Sequence, residues 1–240
     1  MRQLTTLLVV IAGLLLVSSS SAPASDTRGV HLILLSGQSN MANLDPAQVF
    51  IPEVERHFGA ENVVIVKVAR SGQPIRRWYK KWTVTGKQNP KEIGDLYEQL
   101  MATAEKALNG RPIQSATLIW MQGERDVKER LSAHYKVAFL GMVEQLKTDL
   151  DVPQINYIIG RISDSGPGNK DWDSIRDVQQ KLGESGPHSA WINTDDLNDD
   201  GQKRNDLHYS EKGYQLLAKR SADKAIPLLS APSKQENCHP

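Results

Sequence analysis

The sequence predicts an α/β fold with a central parallel sheet of five strands. Five apolar runs rich in β-branched residues alternate with stretches in which apolar residues recur every three or four positions. The runs show little strict alternation of apolar and polar residues, which is typical of strands covered on both faces. Because strand–helix–strand units form right-handed crossovers, this order favours a parallel sheet with helices on both sides.

The predicted strands cover residues 30–35, 63–68, 116–121, 154–159 and 189–192. The predicted helices cover residues 93–108, 128–150, 172–182 and 210–226. The chain shows no internal repeat, low-complexity tract or interdomain linker after its first segment. We therefore expect a single domain over residues 25–230, followed by a tail at residues 231–240.

Residues 1–24 have the order of a secretory signal peptide. Arg2 gives a positive start, residues 7–17 are apolar, and small residues lead to Ala24. The alternative, a transmembrane anchor, is disfavoured because the apolar run is short for a bilayer. We expect cleavage after Ala24 and an exported protein, either secreted or periplasmic, without stable membrane association after cleavage.

Composition excludes several classes of partner and cofactor. The net charge of +1 favours neither a nucleic-acid nor a membrane-surface partner. The single cysteine, Cys238, cannot form an internal disulfide, so stability must come from packing. No zinc cluster, P-loop or dinucleotide fingerprint occurs in the sequence, and we expect no cofactor.

One acidic segment has a metal-like spacing. Asp196, Asn198, Asp200 and Gly201 match the opening of a calcium loop, but Leu207 stands where the closing glutamate belongs. The segment is therefore interpreted as a solvated acidic loop, with calcium as the lesser alternative.

Polar clusters follow the first four predicted strands, as expected for a ligand site at the carboxyl ends of a parallel sheet. Their sequences are SGQSN, ARSGQPI, QGERD and GRISDSG. Ser39 lies in the first cluster, in a turn supplied with Gly37 that precedes a predicted helix. Its own N–H would lie near a helix N-terminus, where an oxyanion is favoured. The alternative role for Ser39 is a helix cap.

A serine nucleophile needs a base, and His208 has the most suggestive setting among the histidines. Asp206 lies two residues before it, and a helical pattern begins directly after it. A carboxylate in that place can orient the imidazole and stabilise the imidazolium. The alternative is a surface Asp–His pair in a loop.

Two further donors complete a predicted oxyanion hole. Gln122 offers a side-chain N–H, and Gly72 offers a backbone N–H that no side chain obstructs. Together with the N–H of Ser39, they would form a three-point site. Glu124 has three possible roles: to orient His208, to fix Arg70 or to bind substrate. Alternatively, Glu124 and Asp126 form an acidic run at a helix N-terminus.

The ordered blocks GQSNM, WMQGERD and DLHYSEKGY resemble those of the sialate O-acetylesterase-like branch of SGNH hydrolases, which includes carbohydrate esterase family six. The blocks span nearly the whole mature chain. The resemblance implies a flavodoxin-like, three-layer α/β/α sandwich and metal-independent removal of acetyl groups from carbohydrate hydroxyls.

The resemblance also assigns roles residue by residue. It makes Ser39 the nucleophile, His208 the base, and Gly72 and Gln122 oxyanion donors. The triad acid departs from the commonest pattern, because Asn205 replaces the aspartate found three residues before the histidine in many relatives. Asp206 is the first choice for the acid, and Glu124 is the second.

Four residues are expected to shape the substrate cleft: Gln38, Asn40, Arg70 and Glu124. The expected function is that of a secreted serine esterase that deacetylates carbohydrates through an acyl-enzyme, with an acetylated carbohydrate as its partner. The alternatives are an SGNH lipase or thioesterase with another acyl pocket, and a carbohydrate-binding relative that has lost catalysis.

Overall fold

The computed structural model describes residues 29–84, 90–166, 168–198 and 207–230. The expected signal peptide, the tail with Cys238, and the first-choice triad acid Asp206 lie outside the described residues. None of the helices within these ranges is long and apolar enough to cross a bilayer.

The sheet has five parallel strands in the order β2-β1-β3-β4-β5, as the sequence predicts. The strands are β1 Val30–Gly37, β2 Val63–Ala69, β3 Ile113–Met121, β4 Ile155–Gly160 and β5 Ser189–Ile192. Strand β1 is buried along its whole length because it lies between β2 and β3 and is covered on both faces.

Seven α-helices lie within the described ranges. They are α1 Ser39–Asn43, α2 Phe50–Phe58, α3 Asp95–Leu108, α4 Glu124–Lys128, α5 Ser132–Asp149, α6 Lys170–Gly183 and α7 Glu211–Ser230. The apolar faces of α3, α5 and α6 pack on one side of the sheet, and those of α1, α2 and α7 pack on the other. Side chains along β1 alternate between the two cores, with Leu32 and Leu34 on one side and Ile33 and Leu35 on the other. The result is the expected three-layer α/β/α sandwich.

Two helix boundaries differ from the sequence prediction. The helix predicted over residues 128–150 begins at Ser132 instead, because Arg130, with a positive φ of 56°, interrupts helical geometry just before it. A short helix that the sequence did not predict, α4, precedes this break. The last helix runs past Pro227 to Ser230, although a proline inside a helix removes a backbone N–H.

Candidate active site

Three of the predicted blocks meet at the last residue of β1. Gly37 pairs in register with Ala69 at the end of β2 and with Met121 at the end of β3. Backbone hydrogen bonds continue just past the strand ends. The Gln38 N–H donates to the Met121 carbonyl at 2.8 Å, and the Arg70 N–H donates to the Gly37 carbonyl at 3.0 Å. The sheet register therefore brings Ser39, the Gly72 loop and the Gln122 block to one edge.

This junction depends on glycine at position 37. Its φ is +142°, and a Cβ added there would lie 2.0 Å from the Met121 carbonyl oxygen. Any side chain would push β1 away from β3 or force the backbone out of this conformation. Gly37 thus allows the close approach that places the GQSNM block against the WMQGERD block.

Ser39 is the first residue of α1 and its side chain is almost buried, at 7% exposure. The cap position is occupied by Gln38 instead, and no side chain caps this helix. The alternative interpretation of Ser39 as a helix cap is therefore not what the structure shows. The hydroxyl remains available for other chemistry.

Gln38 and Asn40 flank Ser39, and the side chain of each is hydrogen-bonded to other parts of the protein. The Gln38 side-chain oxygen accepts from the Arg125 N–H at 3.3 Å and from Gln122 Nε2 at 3.4 Å. Asn40 is fully buried and donates to the Leu207 carbonyl at 3.0 Å. Both residues were expected to shape the substrate cleft; in this structure they are buried and hold neighbouring elements together.

Glu124 lies behind Asn40. It is 2% exposed, and its Oε1 lies 3.4 Å from the Nδ2 donor of Asn40. Its Oε2 has no hydrogen-bond partner among the described residues. Burial raises the pKa of Glu124 from 4.5 to about 7, and the charge of nearby Asp126 acts in the same direction. In this arrangement Glu124 contacts Asn40 inside the protein and is not exposed at the surface.

Asp126 has a structural role that the sequence did not reveal. Its Oδ2 accepts from the Ile75 backbone N–H at 3.0 Å and from Gln122 Nε2 at 2.5 Å. Gln122 also donates to the Gln73 carbonyl at 3.0 Å. Burial raises the pKa of Asp126 from 3.8 to about 7. The Asp126 carboxylate thus joins the WMQGERD block to the loop that carries Gly72.

These contacts bear on Gln122 as an oxyanion donor. Its side chain is fully buried, and its two N–H groups have acceptors in Asp126 and the Gln73 carbonyl. Its Oε1 has no partner within the described ranges. For Gln122 to donate to an oxyanion, the amide would have to leave one of its present acceptors.

Gly72 and Arg70 lie on the open side of the site. Gly72 is exposed with φ +68°, and nothing lies within 4 Å of the place a Cβ would occupy. The space that a side chain would fill at this position is therefore open. Among the four residues expected to shape the cleft, Arg70 is the one with an exposed side chain.

His208 lies in the short segment before α7, and its side chain is exposed. The preceding carbonyl, of Leu207, accepts from Asn40, so the histidine segment is tied to the helix that begins with Ser39. No hydrogen bond joins the Ser39 hydroxyl, Glu124 and His208 among the described residues. Catalytic hydrogen bonds are often absent or long before substrate binds.

The described residues contain no group of three or more His, Cys, Asp or Glu side chains placed to hold a metal ion. In the segment with the calcium-like spacing, both carboxylate oxygens of Asp196 accept from Arg220, at 2.7 and 2.6 Å. Asp200 and Gly201 of that pattern lie outside the described residues.

The family assignment follows from a match between residues 42–227 and the family described as carbohydrate esterase, sialic acid-specific acetylesterase. The chain belongs to this family. The resemblance seen in the sequence is thereby confirmed, and the protein is a carbohydrate esterase. The match begins three residues after Ser39, so the assignment of the nucleophile depends on the geometry around Gly37 and on the GQSNM resemblance.

Solved structures share the fold at low sequence identity. A protein from Arabidopsis thaliana is 18% identical with a TM-score of 0.62, covering 83% of this chain and 98% of its own. A carbohydrate acetylesterase from Xanthomonas citri is 17% identical with a TM-score of 0.61, covering 84% of this chain and 56% of its own. NanS is 14% identical with a TM-score of 0.55, covering 82% of this chain and 97% of its own. No curated protein sequence matches this chain significantly.

Proposed function

We propose that this carbohydrate esterase is a serine hydrolase that removes O-acetyl groups through an acyl-enzyme intermediate. The observation that carries the proposal is the junction at Gly37. There the sheet register brings the segment that contains Ser39 beside the loop with Gly72 and beside the WMQGERD block. Asn40 ties the His208 segment to the same helix as Ser39. The residues proposed as nucleophile, donor and base thus lie on segments that meet at one edge of the sheet, which supports the proposal.

In the proposed reaction, the Ser39 hydroxyl attacks the acetyl carbonyl while His208 takes its proton. The backbone N–H groups of Ser39 and Gly72 stabilise the tetrahedral oxyanion, and Gln122 serves as the third donor once its amide is released from one acceptor. His208 then protonates the departing sugar hydroxyl and activates the water that releases acetate.

The acid behind His208 is proposed to be Asp206, with Glu124 as the second choice. Asp206 is supported by its position two residues before the histidine. Glu124 is supported by a buried carboxylate oxygen without a hydrogen-bond partner, separated from the histidine segment by Asn40. Export to the periplasm or the medium is part of the proposal and is supported by the signal-like order of residues 1–24.

The central test measures acetate release from p-nitrophenyl acetate and from an acetylated glycoside. We expect Ser39→Ala to lower kcat by at least about 10³-fold, because removal of a nucleophile costs several orders of magnitude. Ser174→Ala is the matched control, since Ser174 is exposed on α6. Retained turnover in Ser39→Ala would disprove the serine mechanism.

The same assay separates the alternatives. Preference for long-chain over acetyl p-nitrophenyl esters would indicate a lipase or thioesterase. Absence of hydrolysis of every ester by the wild-type protein would indicate a non-catalytic carbohydrate-binding relative.

A further inference from the structure

A small polar pocket of about 240 Å³ lies between the end of α1 and the first turns of α7. Its lining residues are Asn43, Asp45, Gln48, Glu211, Tyr214 and Gln215. All six carry amide, carboxylate or phenol groups, and none is aliphatic. The volume is below the roughly 300 Å³ typical of sites for drug-sized ligands, so the pocket suits a single ring.

Both elements that line the pocket also carry proposed catalytic residues. Asn43 is four residues after Ser39 on α1, and residues at this spacing share a helix face with their Cβ atoms about 6 Å apart. On the other wall, α7 begins three residues after His208. A ring in the pocket would therefore lie within one helical turn of the nucleophile.

Hydrogen bonds couple the pocket to the buried part of the site. The Tyr214 hydroxyl donates to Asn40 Oδ1 at 3.0 Å and accepts from Asn43 Nδ2 at 3.0 Å. Asn40 in turn holds the Leu207 carbonyl. Tyr214 is thus fixed at the boundary between the pocket and the residues around Ser39.

The charges that line the pocket are of one sign. Asp45 and Glu211 are both exposed carboxylates, and no cation belongs to the lining. The ammonium group of Lys67 donates to the carbonyls of Ala42 and Leu44 and offsets part of the charge of Asp45, so that one net negative charge remains from Lys67, Asp45 and Glu211 together. Lys212 follows Glu211 on α7 and does not line the pocket. A bound ring with its own carboxylate would be repelled, whereas hydroxyl groups match the available donors and acceptors.

We propose that this pocket is a subsite for a neutral sugar ring adjacent to the acetylated position, and that it discriminates against anionic sugars such as sialic acid. The inference rests on the proposed serine esterase function and adds the substrate class. It narrows the substrate within a family whose description names sialic acid.

The test compares two substrates that differ only in charge: 9-O-acetyl-N-acetylneuraminic acid and its carboxamide. We expect the wild-type protein to deacetylate the carboxamide with a kcat/KM about tenfold higher. In Asp45→Asn and in Glu211→Gln, the ratio should fall by about threefold each, because each removes one repulsive charge in a solvent-exposed setting.

Glu98→Gln is the matched control, since Glu98 is an exposed carboxylate on α3, on the opposite side of the sheet, and its ratio should equal that of the wild type. A wild-type ratio near one, or a ratio unchanged by Asp45→Asn and Glu211→Gln, would overturn the subsite. Hydrolysis of p-nitrophenyl acetate distinguishes the two failures. If it persists and depends on Ser39, the esterase proposal stands and only the subsite is wrong; if it is absent, the proposed function itself has failed.

Discussion

Helix α4 supplies two buried carboxylates that lie on different sides of the candidate site. Glu124 lies on the side of the proposed nucleophile Ser39, the nucleophile half, where Asn40 separates it from the His208 segment. Asp126 lies on the side of the proposed donors Gly72 and Gln122, the oxyanion half, where it accepts from Ile75 and Gln122.

Burial raises the pKa of each to about 7. Each carboxyl has one buried oxygen without a hydrogen-bond partner among the described residues, Oε2 of Glu124 and Oδ1 of Asp126. They differ at the other oxygen, which in Glu124 lies 3.4 Å from the Asn40 donor and in Asp126 accepts from two donors at 3.0 and 2.5 Å.

This contrast shows that similar burial can serve different functions. Asp126 has the contacts of a positioning residue, since two donors from the Gly72 loop and from Gln122 bind one of its oxygens. Glu124 is held less tightly, by a 3.4 Å contact with Asn40, so its carboxyl can accept from a donor that arrives with substrate or with a movement of His208. Substitutions on the two halves should therefore differ in kind.

The largest expected effect distinguishes the two candidates for the acid that supports His208, Asp206 and Glu124. We expect Asp206→Asn to lower kcat by about 10³-fold or more, because an acid that orients a catalytic histidine has a large effect on rate. Glu124→Gln should cost about tenfold, since it keeps the shape and one acceptor beside Asn40. Steady-state kinetics on p-nitrophenyl acetate decides this. If Glu124→Gln is the more damaging while circular dichroism shows an intact fold, the triad acid is Glu124.

The next effect belongs to the oxyanion half. Asp126→Asn should lower kcat about tenfold with little change in KM, because a displaced Gly72 loop weakens contacts made only in the transition state. Asp173→Asn is the control, since Asp173 is exposed on α6. An unchanged kcat, or a loss confined to KM, would contradict a positioning role for Asp126.

Both carboxyl groups should make stability depend on pH. Their pKa values are raised on folding from 4.5 for Glu124 and 3.8 for Asp126 to about 7. The stabilisation is thus fully present below about pH 4 and is lost as pH rises towards 7. Urea unfolding at pH 5 and pH 8 should show a smaller decrease in unfolding free energy for Glu124→Gln and for Asp126→Asn than for the wild type. An equal decrease in each variant would show that other groups are responsible.

The smallest effect tests the link between the nucleophile half and α7. Tyr214→Phe removes the hydroxyl that bonds Asn40 and Asn43 and should cost about 1 kcal/mol of unfolding free energy. Thermal or urea unfolding measures it. A loss several times larger would mean that Tyr214 holds α7 in place rather than adjusting Asn40.

The sequence by itself determined the architecture and the edge at which the site lies. Apolar runs without alternation identify strands buried on both faces, and the polar residues after them must gather at the carboxyl ends of a parallel sheet. For this reason Ser39, Gly72, Gln122 and the His208 segment could be predicted as candidate site residues. Each of these inferences depends on local pattern and on the order of elements.

Only the tertiary structure decided which polar groups face each other. Gln38 and Asn40 are buried and hydrogen-bonded to Gln122 and Leu207, partners more than eighty residues away in sequence that no local pattern identifies. The contacts of Asp126 with Ile75 and Gln122 depend on the short helix α4, which no periodicity indicated. Hydrogen-bond partners and burial are set by packing between distant segments, and the sequence carries no local signal of them.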